Sequence, residues 1–318
     1  MATMVTAPRG AGADAPSPAS HGRSAGRRRL VWRNTAAGWS FILPNFIGFA
    51  ALTMVPIIVL FYVSSTQWNI YRHTATWTGS ANWIQMWHDP LFWKSLWNTL
   101  YYAGVHIPLT MAAALGLALL LNRKLRGVAF FRTAAFFPYI TSVVALCYVW
   151  NLLFSPNYGP INEFLRWVGV DNPPGWTTKS TWAMPAVIVV GTWREMGYYM
   201  LLYLAGLQTI PSQLYEAATV DGASAWQKFR NVTLPGLRHT TFLVTVLITI
   251  GSFKVFDVIL LLTQGGPGQS TYVLSQYIYQ KGFVESQFGY ASAVAVVLFA
   301  ICFLVTIIQY RVNRRGNA

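Results

Sequence analysis

The sequence predicts an all-α integral membrane protein with six transmembrane helices. Of its 318 residues, 54% are hydrophobic, 15% are aromatic and only 10% are charged, which leaves too few polar side chains to cover a soluble globule. Long stretches carry no charge, and about 20 apolar residues in a helix cross the ~30 Å hydrocarbon core of a bilayer. We therefore expect membrane-spanning helices near residues 38–65, 96–122, 130–154, 182–208, 238–263 and 287–311.

The N-terminal residues differ in composition from the rest of the chain, because Ala, Gly, Ser, Pro and Arg dominate them. Such a segment has too few apolar side chains to fold. We expect residues 1–35 to form a disordered basic tail and residues 36–318 to form one transmembrane domain. The first apolar run is too long for the core of a cleavable signal peptide, so we expect it to remain as the first span.

The net charge of +14 is spread along the chain, so it does not predict a face that binds nucleic acid. Fifteen lysines and arginines fall in the tail, the C-terminus and the loops 123–127 and 209–238, against five in the other three loops. Because cytoplasmic loops are enriched in positive charge, both termini and the loop 209–238 are predicted to be cytoplasmic.

The sequence contains no pattern typical of a nucleotide site, a metal site or a disulfide framework. Cys147 and Cys302 are the only cysteines, and each falls inside a predicted span. There is no H-E-x-x-H, no G-x-x-x-x-G-K-[ST] and no G-x-G-x-x-G, the patterns that bind zinc and cradle phosphates. We expect neither a metal nor a cofactor in this chain, and we do not expect an enzyme.

Two short helices are predicted in the loop 209–238. Ser212 is a candidate N-cap for a helix over 213–220, which Gly222 would end. Ser224 is a candidate cap for a second helix over 225–232, which Pro235 would stop. Each helix has about eight residues, fewer than the ~12–15 needed for a stable isolated helix, so the pair must dock. The lipid surface is one possible support, but the small side chains beside Glu216 favour a groove in another protein.

This loop resembles the EAA loop of permease subunits of bacterial ABC importers. The resemblance rests on Glu216-Ala217-Ala218, three residues, Gly222, nine residues, and then Val232 to Pro235. The stretches DPLFWKSLWNTLYY, FRTAAFFPY, GTWREMGYYMLLYLAGLQTIP, LLTQGGPGQSTYVLSQYIYQKGF and GYASAVAVVLF resemble the carbohydrate-uptake subfamily. Within that subfamily they are similar to the maltose, lactose and glycerol-3-phosphate permease type.

The resemblance implies several partners. The loop 209–237 would be a coupling helix–turn–helix between the fourth and fifth spans, inserted into a cleft of a separate ATPase subunit. An ATPase dimer would bind ATP and Mg, a second, non-identical permease would complete the path, and an extracellular solute-binding lipoprotein would deliver a sugar to this bacterial cell membrane. The residues implied in coupling are Glu216, Ala217, Ala218, Asp221, Gly222, Ala223, Phe229, Leu234 and Pro235.

The sequence lacks the large extracellular insertion of the maltose-type subunit, because 66–95 and 155–181 are each about thirty residues long. The turn that follows the fifth predicted span is therefore the main candidate for contact with the binding protein. The residues concerned are Gly265, Gly266, Pro267 and Thr271. A plain structural connector is the alternative interpretation of this turn.

Four charged residues fall well inside predicted spans, away from the span ends, where each costs about 2.5–3.5 kcal/mol at the helix centre unless it faces protein or water. Arg194 and Glu195 are adjacent and should point about 100° apart, so we expect them not to face one cavity. Lys254 and Asp257 are three residues apart, which would place them on one face of a helix and close enough to pair. These residues either form ion pairs between helices or line the solute path, together with Tyr198, Tyr199, Ser252 and Phe256.

Two functions remain open at this point. The first is a permease subunit of an ATP-driven importer, which forms half of the path for a sugar or oligosaccharide. The alternative is a self-sufficient secondary transporter that uses Glu195 and Asp257 as ion or proton carriers.

Overall fold

A computed structural model describes residues 39–40, 42–69, 74–123 and 126–315. The predicted tail 1–35 lies outside the described residues. The chain divides into two compact units, Met1–Ile58 and Val59–Ala318. The described part of the first unit is helical, and all contacts discussed below lie within the second unit.

Helices account for nearly all the regular structure in the described ranges. The elements are α1 Ile42–Ser64, β1 Thr66–Asn69, β2 Thr74–Trp77, α2 Ala81–Trp87, α3 Pro90–Leu121, α4 Val128–Ile140, α5 Val143–Leu153, α6 Pro160–Trp167, α7 Ser180–Gln208, α8 Ser212–Val220, α9 Ala225–Gly236, α10 Arg238–Phe253, α11 Asp257–Leu262, α12 Leu274–Tyr279 and α13 Phe288–Arg315.

The predicted helical membrane protein is confirmed in outline. Among the described residues, α1, α3 and α13 are each long and apolar enough to cross a bilayer, and two bent helix pairs would raise the number to five. The bent pairs are α4 with α5, at 98°, and α9 with α10, at 69°. One feature departs from an all-α fold, because β1 and β2 form an antiparallel hairpin.

Two of the predicted spans are interrupted. The span 130–154 breaks between α4 and α5, where Thr141 takes an extended conformation with φ −74° and ψ 148°. The span 238–263 breaks between α10 and α11, where Phe256 has φ −144° and ψ −58°. At this second break the Val255 carbonyl accepts a hydrogen bond from the Ser275 hydroxyl, so contact with the following segment compensates for the lost helical bond.

Helix α7 packs against α3, α4 and α10. At three of its glycines an added Cβ would come closer than 3.0 Å to a neighbouring atom. A Cβ on Gly191 would lie 2.6 Å from the Tyr102 hydroxyl, one on Gly197 would overlap the Ala135 carbonyl, and one on Gly206 would overlap the Thr240 side chain. Small residues at such points allow helix backbones to approach closely, which favours packing within a membrane.

The first turns of α3 hold the segment that leads into α12. The Lys94 ammonium donates to the Gly268 carbonyl at 2.7 Å, and the Asn98 amide donates to the carbonyls of Gln269 and Tyr272 at 3.0 and 2.9 Å. The Leu274 N–H donates to the Thr99 hydroxyl at 2.9 Å. This segment has no long helix of its own, so these bonds fix its position.

Asp89 strengthens the same attachment. Its side chain caps α3 by accepting from the Leu91 N–H at 2.8 Å, and it also accepts from the hydroxyls of Tyr277 and Tyr290. Burial alone would raise the pKa of Asp89, but these hydrogen bonds outweigh it and hold the pKa below its ordinary value. A carboxylate with a depressed pKa stabilises the fold above its unfolded-state pKa, and this contribution is lost as the pH falls through the folded-state pKa.

We expect Asp89→Asn to lower the free energy of unfolding by about 1–2 kcal/mol at pH 7, because one acceptor oxygen and its charge are lost. The deficit should shrink as the pH falls below about 4, where the carboxyl of the unfolded chain becomes protonated, and should vanish below the lower pKa of the folded state. Thermal unfolding in detergent, followed by tryptophan fluorescence over this pH range, measures both effects. Asp171→Asn, which changes an exposed carboxylate after α6, is the matched control. Equal losses of unfolding free energy in Asp89→Asn and Asp171→Asn would contradict a stabilising role of the hydrogen bonds to Asp89.

Candidate functional site

Three charged residues of the predicted spans, Arg194, Glu195 and Asp257, meet near the middle of α7. Arg194 approaches Asp257 at 3.7 Å between Nη2 and Oδ2, and Glu195 at 3.9 Å between Nη1 and Oε1. The Arg194 and Glu195 side chains are 19% and 21% exposed. Both side chains belong to one charge cluster, while the expectation that they do not face one cavity stays a prediction. The Cβ directions differ on a helix, but both side chains are long enough to bend toward each other.

The predicted pair of Lys254 and Asp257 is wrong. The ion pairs found among the described residues include Arg194 with Asp257 and none with Lys254. The spacing argument assumed one continuous helix, but α10 ends at Phe253 and α11 begins at Asp257. Lys254 is exposed.

His106 completes the cluster, and sequence reasoning missed it. It lies on α3, is 1% exposed, and has its Nε2 atom 4.0 Å from Glu195 Oε2. Its Nδ1 atom lies 2.9 Å from the Ser252 hydroxyl, which donates to the Ile248 carbonyl at 2.8 Å. Because that hydroxyl hydrogen is already used, Nδ1–H must be the donor in the contact with Ser252. A single histidine without a spacing pattern gives no sequence signal for such a site.

Three polar atoms of this cluster have no hydrogen-bond partner in the described part of the chain, namely His106 Nε2, Glu195 Oε2 and Arg194 Nε. The first two lie 4.0 Å apart, too far for a direct hydrogen bond. His106 Nε2 and Glu195 Oε2 are both acceptors, so one water could donate to both of them, whereas one sugar hydroxyl could donate to either. The cluster therefore has an unsatisfied capacity for a polar ligand group.

Of the neighbouring aromatic and hydroxyl residues predicted to line the solute path, two are buried and two are half-buried. Ser252 and Tyr199 are 1% and 6% exposed, so in this conformation they support the site from within. Tyr198 is half-buried and stacks on Tyr139, with ring centroids 4.6 Å apart. Phe256 is half-buried against Tyr279 at 5.3 Å. The role of these residues in solute contact stays a prediction.

Helices α8 and α9 occupy the loop where two short helices were expected. Gly222 joins them with φ +73°, a left-handed conformation that costs other residues about 1–2 kcal/mol. Ser224 begins α9 with a capping box, in which its hydroxyl accepts from the Gln227 N–H and the Gln227 side chain accepts from the Ser224 N–H. The predicted cap at Ser212 is wrong, because Pro211 occupies the cap position and makes no side-chain hydrogen bond.

Side-chain contacts hold these two helices together. The Tyr215 hydroxyl lies 3.0 Å from the Thr233 hydroxyl, and the Lys228 ammonium donates to the Thr219 hydroxyl at 2.8 Å. Helix α9 continues to Gly236, so Pro235 does not stop it as predicted. A π-helical turn over Phe229–Thr233 precedes this proline and accommodates its missing N–H.

Most of the residues implied in coupling lie on an open surface. Glu216, Ala217, Asp221, Gly222, Leu234 and Pro235 are exposed, whereas Ala218, Ala223 and Phe229 are half-buried. Val220, which sequence reasoning missed, is 88% exposed. Glu216 makes no ion pair with any described residue. An exposed valine beside an unpaired carboxylate, on helices too short to persist alone, is typical of a contact surface.

The turn after α11 buries two of the four residues that were predicted to contact the binding protein. Thr271 is fully buried and bonds to the Gly266 carbonyl and the Thr263 hydroxyl, so its side chain cannot touch a docked protein in this conformation. Gly265 is buried, and Gly266 and Pro267 are half-buried. The exposed positions are Gln264, Gly268 and Gln269. If this turn meets a partner, these three residues are the accessible ones.

Comparison with known proteins identifies the family. The pattern of the family described as "Binding-protein-dependent transport system inner membrane component" matches residues 106–317, which include the charge cluster and both short helices. This chain belongs to that family.

Relatives cover almost the whole of this permease. It is 32% identical over 291 residues to the probable ABC transporter permease protein YurN of Bacillus subtilis (strain 168), covering 91% of this chain and 99% of the relative. It is 34% identical over 285 residues to the lactose transport system permease protein LacF of Rhizobium radiobacter, covering 87% and 94%.

A solved structure has the same architecture. It is the crystal structure of a bacterial alginate ABC transporter in complex with an alginate pentasaccharide-bound periplasmic protein. One of its chains matches the permease with a TM-score of 0.76 and 25% identity, covering 89% of this chain and 97% of that chain. The resemblance drawn from the sequence is confirmed. The chain is a translocation subunit of an ABC importer rather than an enzyme, which removes the secondary-transporter alternative.

The ion pair in the charge cluster can be tested by comparing two double-mutant cycles. We expect Arg194→Gln and Asp257→Asn to be coupled by about 0.5–1 kcal/mol, with the double variant more stable than the sum of the single losses, because one unpaired charge is costlier than none. Lys254→Gln combined with Asp257→Asn should be additive. Thermal stability and yield of the purified permease are the measurements. Coupling of Asp257 to Lys254 instead of Arg194 would contradict this arrangement.

Proposed function

We propose that this permease forms half of the path for a neutral sugar or oligosaccharide. A second, non-identical permease forms the other half, and an extracellular solute-binding lipoprotein delivers the ligand. ATP and Mg are bound by a dimer of partner ATPase subunits. The chain itself supplies the wall of the path and the surface through which the ATPase acts.

The proposed topology has six spans. They are formed by α1, α3, the bent pair α4–α5, α7, the broken pair α10–α11, and α13. The excess of Lys and Arg in alternate loops supports cytoplasmic termini under the positive-inside rule. With that orientation α8 and α9 lie at the cytoplasmic face, while Asp89, the turn at Gly265 and the hairpin lie outside.

The observation that carries the proposal is the open surface of α8. Glu216, Ala217 and Val220 are exposed together, and Gly222 sets the direction of α9 through its positive φ. Helix α9 leads directly into α10, which begins at Arg238, and on the side of α9 toward α3 the residues Trp226, Phe229 and Leu119 line a groove of about 510 Å³. A displacement of α8 by an ATPase would therefore be passed through α9 to α10.

The charge balance near the path favours a neutral ligand. Arg194 is the one cation within 4.0 Å of the carboxylates of Glu195 and Asp257 in the described structure. One guanidinium beside two carboxyl groups offers no net positive charge to attract an acidic sugar, whereas hydroxyl groups can bond to any of these groups. Lactose transport by the relative in Rhizobium radiobacter is consistent with a neutral ligand, although the solved neighbour carries acidic alginate.

Coupling is tested with Glu216→Ala and Gly222→Leu in the assembled transporter. Loss of a charge-assisted hydrogen bond from Glu216 should weaken ATPase affinity by a factor of about 10–150, corresponding to about 1.5–3 kcal/mol. Gly222→Leu should misdirect α9, because a leucine in the left-handed conformation costs about 1–2 kcal/mol. The measurements are co-purification of the ATPase and ATP hydrolysis stimulated by the binding protein in nanodiscs.

Matched controls separate coupling from folding. Gln213→Ala alters another exposed side chain of α8 and should have no effect. Gly222→Asn should retain most activity, because asparagine tolerates the left-handed conformation and the open space at Gly222 holds no neighbour within 4 Å of a Cβ. If Glu216→Ala and Gly222→Leu both keep normal ATPase binding and normal stimulated ATP hydrolysis, this surface does not couple the permease to the ATPase.

A further inference from the structure

A polar cavity of about 670 Å³ lies between the hairpin, α2 and the start of α13. It lies at the end of the protein where α3 and α13 begin, apart from the charge cluster on α7. Its volume is within the range of about 300–1,000 Å³ that is usual for small-molecule sites. None of the roles assigned above uses its lining residues, except that Tyr290 bonds to Asp89.

The lining is polar but almost uncharged. Hydroxyl groups come from Thr74, Thr76 and Ser286, among others, and amides come from both sides of the cavity. The only charged side chain among its described lining residues is Glu285, whose carboxylate is paired with Lys281 at 2.8 Å. Such a lining disfavours ions and suits a ligand that carries many hydroxyl groups.

Three amides of the cavity are available to a ligand. Gln67, Gln85 and Gln287 are exposed, and their side chains make no hydrogen bond to any described residue. Each amide offers donors and an acceptor, so it can satisfy a sugar hydroxyl in either direction. Trp68 lies beside them with 39% of its surface exposed. An indole ring offers an apolar face on which the C–H side of a sugar can pack.

The base of the cavity is held by specific contacts. The Asn82 amide donates to the carbonyls of Ser64 and Thr66, both at 2.9 Å. The backbone of Gly289 lies so close to the Thr66 carbonyl that a Cβ there would overlap it. These contacts fix α2 and the start of α13 to the base of the hairpin, so the amides on both sides keep their spacing.

We propose that this cavity is a carbohydrate-binding site for one or two neutral sugar units, separate from the translocation path. The hairpin supplies Trp68 and Gln67, α2 supplies Gln85, and the chain before α13 supplies Gln287. The placement of the cavity on the outer face rests on the proposed function. There it holds part of an oligosaccharide beside the permease while the ligand is transferred from the binding protein.

The site is tested by titrating the complete transporter in nanodiscs, without nucleotide and without binding protein. The probes are maltose and, as an acidic counterpart, digalacturonic acid. We expect saturable maltose binding by calorimetry that Trp68→Ala and Gln287→Ala each weaken about tenfold. Trp77→Ala is the matched control, because Trp77 is an exposed indole on the same hairpin but does not line the cavity. Digalacturonic acid should bind more weakly than maltose.

Absence of saturable maltose binding, or equal weakening by Trp77→Ala, would overturn the proposal. It would also be overturned if Trp68→Ala weakened docking of the binding protein while no sugar bound, since the cavity would then be a protein contact. ATP-driven import measured on the same samples separates this proposal from the proposed function. If the transporter imports sugar but maltose does not bind at the cavity, the proposed site is wrong and the proposed function stands. If maltose binds at the cavity but no sugar is imported, the proposed function is wrong and the site stands.

Discussion

The structure depends on the close approach of α7 to its neighbours. Three glycines along this helix face α3, α4 and α10 in turn, and at each of them an added Cβ would be crowded or would overlap a neighbouring atom. In a membrane, lipid tails are as apolar as the helix surfaces, so association depends on tight packing and polar contacts rather than on exclusion of water. Helix α7 is therefore the helix against which α3, α4 and α10 are packed.

That packing explains how charges are tolerated in the middle of α7. Arg194 and Glu195 would be costly against lipid, but α3 brings His106 to one side and the break after α10 brings Asp257 to the other. The break is thus part of the site, since a continuous helix would have directed Asp257 toward Lys254. Because the pairs are 3.7–4.0 Å apart rather than tightly bonded, the cluster keeps polar groups that can respond to a ligand.

Local chemistry made much of the fold predictable. The charge-free runs located the long helices, Gly222 and Ser224 located the junction of the two short helices, and the charges in the predicted spans drew attention to Arg194 and Asp257. Partners distant in sequence were not predictable, because no periodicity links His106 to Glu195 or Asn98 to the turn near Gly268. The break at 254–256 was missed for a similar reason. Lys254, Val255 and Phe256 are not helix breakers, and the contact of Val255 with Ser275 comes from tertiary structure.

The central claim is that this chain passes a neutral sugar when a separate ATPase supplies the energy. The most direct measurement is import of labelled maltose-series sugars into proteoliposomes that contain both permeases and the ATPase, with ATP inside and the cognate binding protein outside. An uncoupler is added to collapse any proton gradient. The account predicts import that requires ATP and the binding protein and continues in the presence of the uncoupler. Import that the uncoupler abolishes, or that proceeds with this chain alone and without ATP, would contradict it.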